Sequence, residues 1–194
     1  MFTGIIKALG TVKSVQHIGS TRRMVISSPL SSVLQIDQSV AHDGVCLTVV
    51  HIDNDTHAVD VVAETLSKTT LGRKEIGQHI NMELSVTPAT LLDGHIVQGH
   101  VDTVLTCSDI ADMKGSIKMR FQLPQEFAHL VIPRGSICLN GISLTVANLF
   151  KDAFEVSIIP YTLQHTNLRD VKSGDGVNVE FDVIGKYLAR LAGK

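Results

Sequence analysis

The chain lacks the features that mark several common protein classes. Its three cysteines, Cys46, Cys107 and Cys138, are an odd number and form no C-x-x-C pair. A disulfide framework or a structural zinc site therefore has no basis, and reduced thiols are expected. No long basic run exists, and 17 Lys and Arg stand against 19 Asp and Glu. Nothing in that balance draws the chain to a nucleic-acid backbone or an anionic membrane. No apolar stretch approaches the roughly 20 residues that span a bilayer. Met1-Phe2-Thr3-Gly4 lacks the charged and apolar regions of a signal peptide. A soluble cytoplasmic protein is expected. G-x-G-x-x-G, P-loop and G-x-S-x-G motifs are absent, which removes support for nucleotide hydrolysis and ordinary serine esterase chemistry.

What is present is a duplication. The 194 residues, 44% of them hydrophobic, suffice for one large core or two small ones. Laid over Ser136–Phe181 without a gap, Ser39–Leu84 matches it at 14 of 46 positions. Chance at ordinary composition gives roughly three. Asp43-Gly44-Val45-Cys46-Leu47-Thr48-Val49 falls on Asn140-Gly141-Ile142-Ser143-Leu144-Thr145-Val146, and Gly77, Asn81 and Glu83 fall on Gly174, Asn178 and Glu180. Upstream, Gly4-Ile5-Ile6 matches Gly99-His100-Val101. A single repeat of this length is a domain rather than a solenoid unit. Two tandem domains are expected, over 1–94 and 95–182.

Within each half the pattern is mostly strand. Val45–Ile52 and Ala58–Val62 are rich in β-branched residues around the turn signal Asp53-Asn54-Asp55, and Ile142–Leu149 and Phe154–Ile159 repeat this. Short strands with such turns suggest a small closed antiparallel barrel, because an open sheet of this size leaves adhesive edges. Short helices are expected near Ser31–Leu34 and Gln125–Leu130. The expected fold class is all-β, a tandem duplication of a closed six-stranded Greek-key barrel. A C-terminal amphipathic helix over 183–194 follows. Its apolar stripe, Ile184, Tyr187, Leu188 and Leu191, recurs at i, i+3, i+4 and i+7. So short a helix needs a partner, either its own barrel or another subunit.

Polar residues inside the repeated motifs differ between the halves. Cys46 faces Ser143 in the alignment, and Ile5 faces His100. Such divergence fits two related sites with different tasks. Equally, Cys46 in an apolar strand fits a small core residue, and Ser143 and Thr145 fit turn caps. His95 and His100 sit among glycines near the junction of the halves. Without H-x-x-x-H or H-E-x-x-H spacing, an acid/base or hydrogen-bonding role suits them better than zinc. A plain surface histidine is the alternative.

Several blocks together resemble the riboflavin synthase family: Met1–Ile5, Gly44–Val49, Gly94–Asp102, Asn140–Val146, Val177–Asp182 and Gly185-Lys186-Tyr187. They keep the family's order and cover the chain. The resemblance implies a transferase that dismutates two 6,7-dimethyl-8-ribityllumazine molecules to riboflavin and 5-amino-6-(ribitylamino)uracil without metal or redox cofactor. It implies a homotrimer held by the C-terminal helices, with sites between barrels of adjacent subunits. For catalysis it points to His100, Cys46, Ser143 and Thr145, supported by Ser39, Asp182 and Phe2. A first pocket is implied from Gly4, Ile5, Ile6, Cys46, Leu47, Thr48 and the run Asp60, Val61, Val62, Ala63, Glu64 and Thr65. A second is implied from Gly99, His100, Val101, Arg134, Ser143, Leu144, Thr145 and the run Ser157, Ile158, Ile159, Pro160, Tyr161 and Thr162, with His95 beside it. The sequence departs from the commoner family pattern at Asp43 and Asn140, at Arg134 and at Tyr161. The alternative is a non-catalytic antenna protein that binds lumazine or flavin on the same fold. Association with lumazine synthase stays open.

Overall fold

The computed structural model describes residues 1–193; the last residue of the expected 183–194 helix lies outside them. The first half builds β1 (Ala8–Ile18), β2 (Thr21–Ser27), β3 (Ser39–His42), β4 (Val45–Asp53), β5 (Thr56–Val61) and β6 (His79–Leu84). The second builds β7 (Thr103–Asp112), β8 (Ile117–Gln122), β9 (Ser136–Leu139), β10 (Ile142–Leu149), β11 (Ala153–Ile158) and β12 (Gly176–Phe181). Each set closes into an antiparallel barrel, in the orders β1-β2-β5-β4-β3-β6 and β7-β8-β11-β10-β9-β12. The expected two-barrel fold is therefore what the chain adopts.

Closure has local causes that recur in both halves. Asp43-Gly44 and Asn140-Gly141 have positive φ at both residues, the geometry of a two-residue type I′ hairpin turn. Register shifts at Val49/His51 and Val146/Asn148 bend β4 and β10 at equivalent places. The expected short helices at 31–33 and 125–130 are 3-10 turns. Two helices went unforeseen. These are α1 (Ala63–Lys68) and α2 (Pro160–His165), each six residues long. Such a length is too short to display helical periodicity. The final helix, α3 (Val183–Leu191), begins on an Asp182 carboxylate that accepts from Ile184 N at 3.0 Å. Among the described residues no helix is long and apolar enough to cross a membrane.

Each barrel has its own apolar core, and a third cluster of Phe2, Ala41, Val97 and Cys138 joins them. The two hairpin turns meet back to back: a Cβ on Gly44 would lie 2.7 Å from Gly141 N. Buried amides close round this contact. Asn81 Nδ2 donates to Asn140 O, and Asn178 Nδ2 donates to Asp43 O. Lys74 neutralises the fully buried Asp43 at 2.8 Å.

The cores differ at one place. His42 and His57 fill the first barrel where the repeat puts Leu139 and Phe154 in the second. Because the Val40 carbonyl only accepts, His42 Nδ1 donates to it, leaving His42 Nε2 to accept from His57 Nε2 at 2.9 Å. Ser31 Oγ then donates to His57 Nδ1 at 2.8 Å. Burial lowers His42 to about 3 and His57 to about 4, so both are neutral in the folded chain at neutral pH. The unfolded chain protonates both below the ordinary histidine value. Stability is thus full above about pH 6.5 and falls by up to ~1.4 kcal/mol per pH unit per histidine on acidification toward pH 4. In thermal melts at pH 7.5 and 5.0, a Ser31→Ala/His42→Leu/His57→Phe chain is expected to lose much less melting temperature than the parent. Equal losses would show that other groups set the acid limit.

Candidate functional site

The segments that precede each barrel cross over. Phe2 and Val97 pair through Phe2 N to Val97 O at 2.7 Å and Val97 N to Phe2 O at 3.1 Å. Beyond this bridge the first segment runs onto the second barrel: Gly4 O accepts from Ser143 N at 2.8 Å, and Ile6 packs on the second core. The second segment runs onto the first: Gly99 O accepts from Cys46 N at 2.9 Å, and Val101 packs on the first core. Gly4 thus lies on Ser143 and Gly99 on Cys46, whereas the resemblance groups Gly4-Ile5-Ile6 with Cys46 and Gly99-His100-Val101 with Ser143. Each half-site draws on both halves of the chain.

The close approach requires glycine. Gly4 and Gly99 have φ of +78° and +83°, and a Cβ would lie 2.6 Å from Ser143 Cβ and 2.5 Å from Cys46 Cβ respectively. A side chain at either position would push the crossing segment off its strand. Two buried carboxylates hold these segments. Glu83 accepts from Thr3 N, Thr3 Oγ1 and Gly4 N, and Glu180 accepts from Gln98 N, Gly99 N and His100 N. Burial pushes Glu180 above the ordinary carboxyl range, against the pull of those N–H groups and of Lys186. Neither glutamate was singled out for function from sequence. Their identity between the halves, as lone acids in apolar strands, was the available signal.

Around this frame the half-sites differ chemically. Ser143, half-buried on β10, has its Oγ 2.6 Å from His95 Nδ1. Burial lowers the His95 pKa, and the nearby Asp182 charge acts in the opposite direction. Burial thus favours the uncharged form of an imidazole in contact with a hydroxyl. Cys46, half-buried on β4, instead packs with Phe2, which is 1% exposed. His100, next to Gly99 on the crossing segment, is exposed.

The remaining residues flank these two. Ser39 pairs across the strands with Thr48, and Ser136 with Thr145. Leu47 and Leu144 sit between the polar positions of β4 and β10. Asp60 and Val61 end β5, and Val62 leads into α1 with Ala63, Glu64 and Thr65; Asp60 carries a bidentate pair with Arg23, both contacts at 2.7 Å. Ser157 and Ile158 end β11, and Ile159 leads into α2 with Pro160, Tyr161 and Thr162. The helix surfaces are unlike: a Glu64–Lys68 ion pair on α1 and a Tyr161–His165 stack, centroids 4.1 Å apart, on α2. Arg134, exposed with φ of 63°, donates its N–H to Val146 O just before β9. A polar cleft of about 610 Å³ lies elsewhere, lined by Arg73, Lys74, His79, Asn140, Asp170 and Asp175 among others, and contains none of the residues to which the resemblance assigns a catalytic or pocket role. Among the described residues no group of three or more His, Cys, Asp or Glu gathers in a metal-holding arrangement.

Comparison with known proteins agrees with this duplication. The lumazine binding domain family matches twice, at residues 3–85 and 98–182. The riboflavin synthase of Mycobacterium tuberculosis (strain ATCC 25618 / H37Rv) is 38% identical over 98% of this chain and 98% of its own. That of Photobacterium phosphoreum is 34% identical over 98% of this chain and 88% of its own. That of Bacillus subtilis (strain 168) is 32% identical over 100% and 91%. The solved structure of LumP complexed with riboflavin superposes with a TM-score of 0.87 at 24% identity, covering 93% of this chain and 99% of that one. At that identity the likeness speaks for the fold. With a family match over both halves and relatives of 32–38% identity along nearly its full length, the chain belongs to the riboflavin synthase family, as two tandem lumazine-binding domains.

Proposed function

We propose that this protein converts two 6,7-dimethyl-8-ribityllumazine molecules to riboflavin and 5-amino-6-(ribitylamino)uracil. The observation that carries the proposal is the pair of equivalent half-sites with unlike reactive groups, Cys46 bonded through its N–H to Gly99 next to His100 in one and Ser143 bonded to His95 in the other. Two identical substrates call for two like pockets. A reaction in which one gives four carbons and the other receives them calls for a difference between the pockets.

The chemistry uses the pteridine as its own electron sink. A nucleophile adds to C7 of one lumazine, and a base removes a proton from the C7 methyl group of the other. The resulting carbanion joins the rings, the added nucleophile is expelled and takes back its proton, and the adduct splits to give both products, with no net oxidation. The protein supplies orientation and proton handling. Ser143, its proton accepted by neutral His95, is the nucleophile or the group that delivers water in its half-site. His100 and Cys46 handle the proton in the other, with Thr48 near Cys46 on β4 and Thr145 near Ser143 on β10. Ser39, Phe2 and Asp182 hold these groups in place. The strand ends at 60–65 and 157–162, with the Arg134 turn, supply the ribityl contacts.

Within one chain the Cys46 and Ser143 half-sites lie on separate barrels. The complete site forms where the first barrel of one subunit meets the second barrel of its neighbour in a homotrimer held by α3. The cytoplasm is the compartment this chemistry suits. Purified protein mixed with the lumazine is expected to form riboflavin and the diaminopyrimidine in equal amounts. Tight binding without conversion would overturn the proposal and favour an antenna protein.

A further inference from the structure

We propose that Glu180 is a positioning residue for the half-site on the opposite barrel, and that Glu83 is its counterpart: Glu180 sets the Gly99-His100 backbone on Cys46, and Glu83 sets the Gly4-Ile5 backbone on Ser143. This rests on the reading of those half-sites as reactive.

Both side chains are almost fully buried, Glu83 at 3% and Glu180 at 1% exposure. A carboxylate so placed is costly unless hydrogen bonds satisfy it. Lys186, whose charge acts on Glu180, is held at 2.8 and 2.6 Å by the two Asp102 oxygens. The bonds to Glu180 come from three consecutive backbone amides: Gln98 N at 2.7 Å on Oε1, and Gly99 N at 2.9 Å and His100 N at 3.0 Å on Oε2. Successive N–H groups converging on one anion form a nest that fixes the backbone carrying them. The next polar contact of that backbone is Gly99 O with Cys46 N on the other barrel. The carboxylate on β12 thus sets how the His100 backbone lies on β4. Glu83 on β6 repeats the arrangement, with Thr3 N at 2.7 Å and Thr3 Oγ1 at 2.6 Å on Oε1 and Gly4 N at 2.9 Å on Oε2. An amide side chain breaks the clamp, because its NH₂ group opposes a backbone N–H where the carboxylate oxygen accepts.

The consequence is crossed control: a change in one barrel alters the site on the other. Cys46 reports it directly, because Cys107 and Cys138 are buried and Cys46 is the accessible thiol. In the full chain, Glu180→Gln is expected to raise the iodoacetamide alkylation rate of Cys46 about tenfold and to lower kcat about tenfold with KM changed less than about twofold. Glu83→Gln is expected to leave the Cys46 rate within about twofold while lowering kcat to a similar extent. Equal Cys46 rates in the two folded variants would overturn the proposal. Hydrogen exchange on the parent chain tests it without any variant. The Gly99 and His100 amides should be strongly protected, and exchange at the rate of an open loop would refute the clamp. Neither thiol reactivity nor exchange needs turnover. A protein that forms no riboflavin yet shows the crossed effect would overturn the function proposed above and leave the clamp standing.

Discussion

Replacing Leu188 and Leu191 by Asp is expected to yield a monomer whose riboflavin formation is down about a hundredfold. The helix that carries them is short, and Asp182 caps its start. Its other face rests near the 125–130 turn: a Cβ on Gly185 would lie 3.9 Å from Leu130 O. Its apolar stripe is bare in the single chain, with Ile184 56%, Tyr187 69%, Leu188 62% and Leu191 84% exposed. Packing on its own barrel, one of the two readings open from sequence, therefore does not cover this stripe. A contiguous exposed apolar face on an ordered helix marks an interaction surface. Two carboxylates at the centre of such a surface would be desolvated without partners, which opposes assembly. Both residues are exposed in the folded chain, so barrel stability should change little. Light scattering with size exclusion reads the mass, and the conversion assay reads the activity. A trimer of undiminished activity would mean that α3 is not the subunit contact.

The second large effect is expected at Ser143. Ser143→Ala removes one half-buried hydroxyl and leaves the fold intact, and kcat should fall by about 10². His95→Gln should fall as far, because its Nδ1 is what accepts the hydroxyl proton. The double variant should fall little further than either single one, as residues acting as one unit do. Burial depresses the His95 pKa, so the acid limb of kcat should lie below the ordinary histidine value. Protonation of Nδ1 would end its role as acceptor. A Ser143→Ala enzyme within about threefold of the parent would assign the step to another group.

Much of this fold could be read from the residues. The duplication was explicit in aligned motifs, and the strands from Val45 and Ile142 appeared where β-branched runs placed them. Barrel closure followed from the size of each half. α1 and α2 were hidden because six residues cannot display a period, and Thr65 and Thr162 are weak helix formers. The crossing of Gly4 and Gly99 was illegible for another reason. Sequence aligned the two segments with each other, but which barrel a segment covers is decided by contacts over long separations, such as Gly4 with Ser143. The His42–His57 chain was concealed because strand alternation marks the inward positions without saying that histidines occupy them as a bonded pair. Glu83 and Glu180 were visible as repeated acids, yet their role appears only once three donors converge on each.

If each site is completed by two different subunits, two chains with complementary defects should restore one another. Cys46→Ala and Ser143→Ala chains, each nearly inactive alone, are to be co-expressed and the mixed trimers assayed for riboflavin. If the first barrel of one subunit works with the second barrel of the next, one interface in four in a random mixture pairs an intact Cys46 with an intact Ser143. Activity should then return to about a quarter of the parent's. If both half-sites act within one chain, no mixture contains an intact pair, and activity no higher than that of the separate variants would contradict the claim.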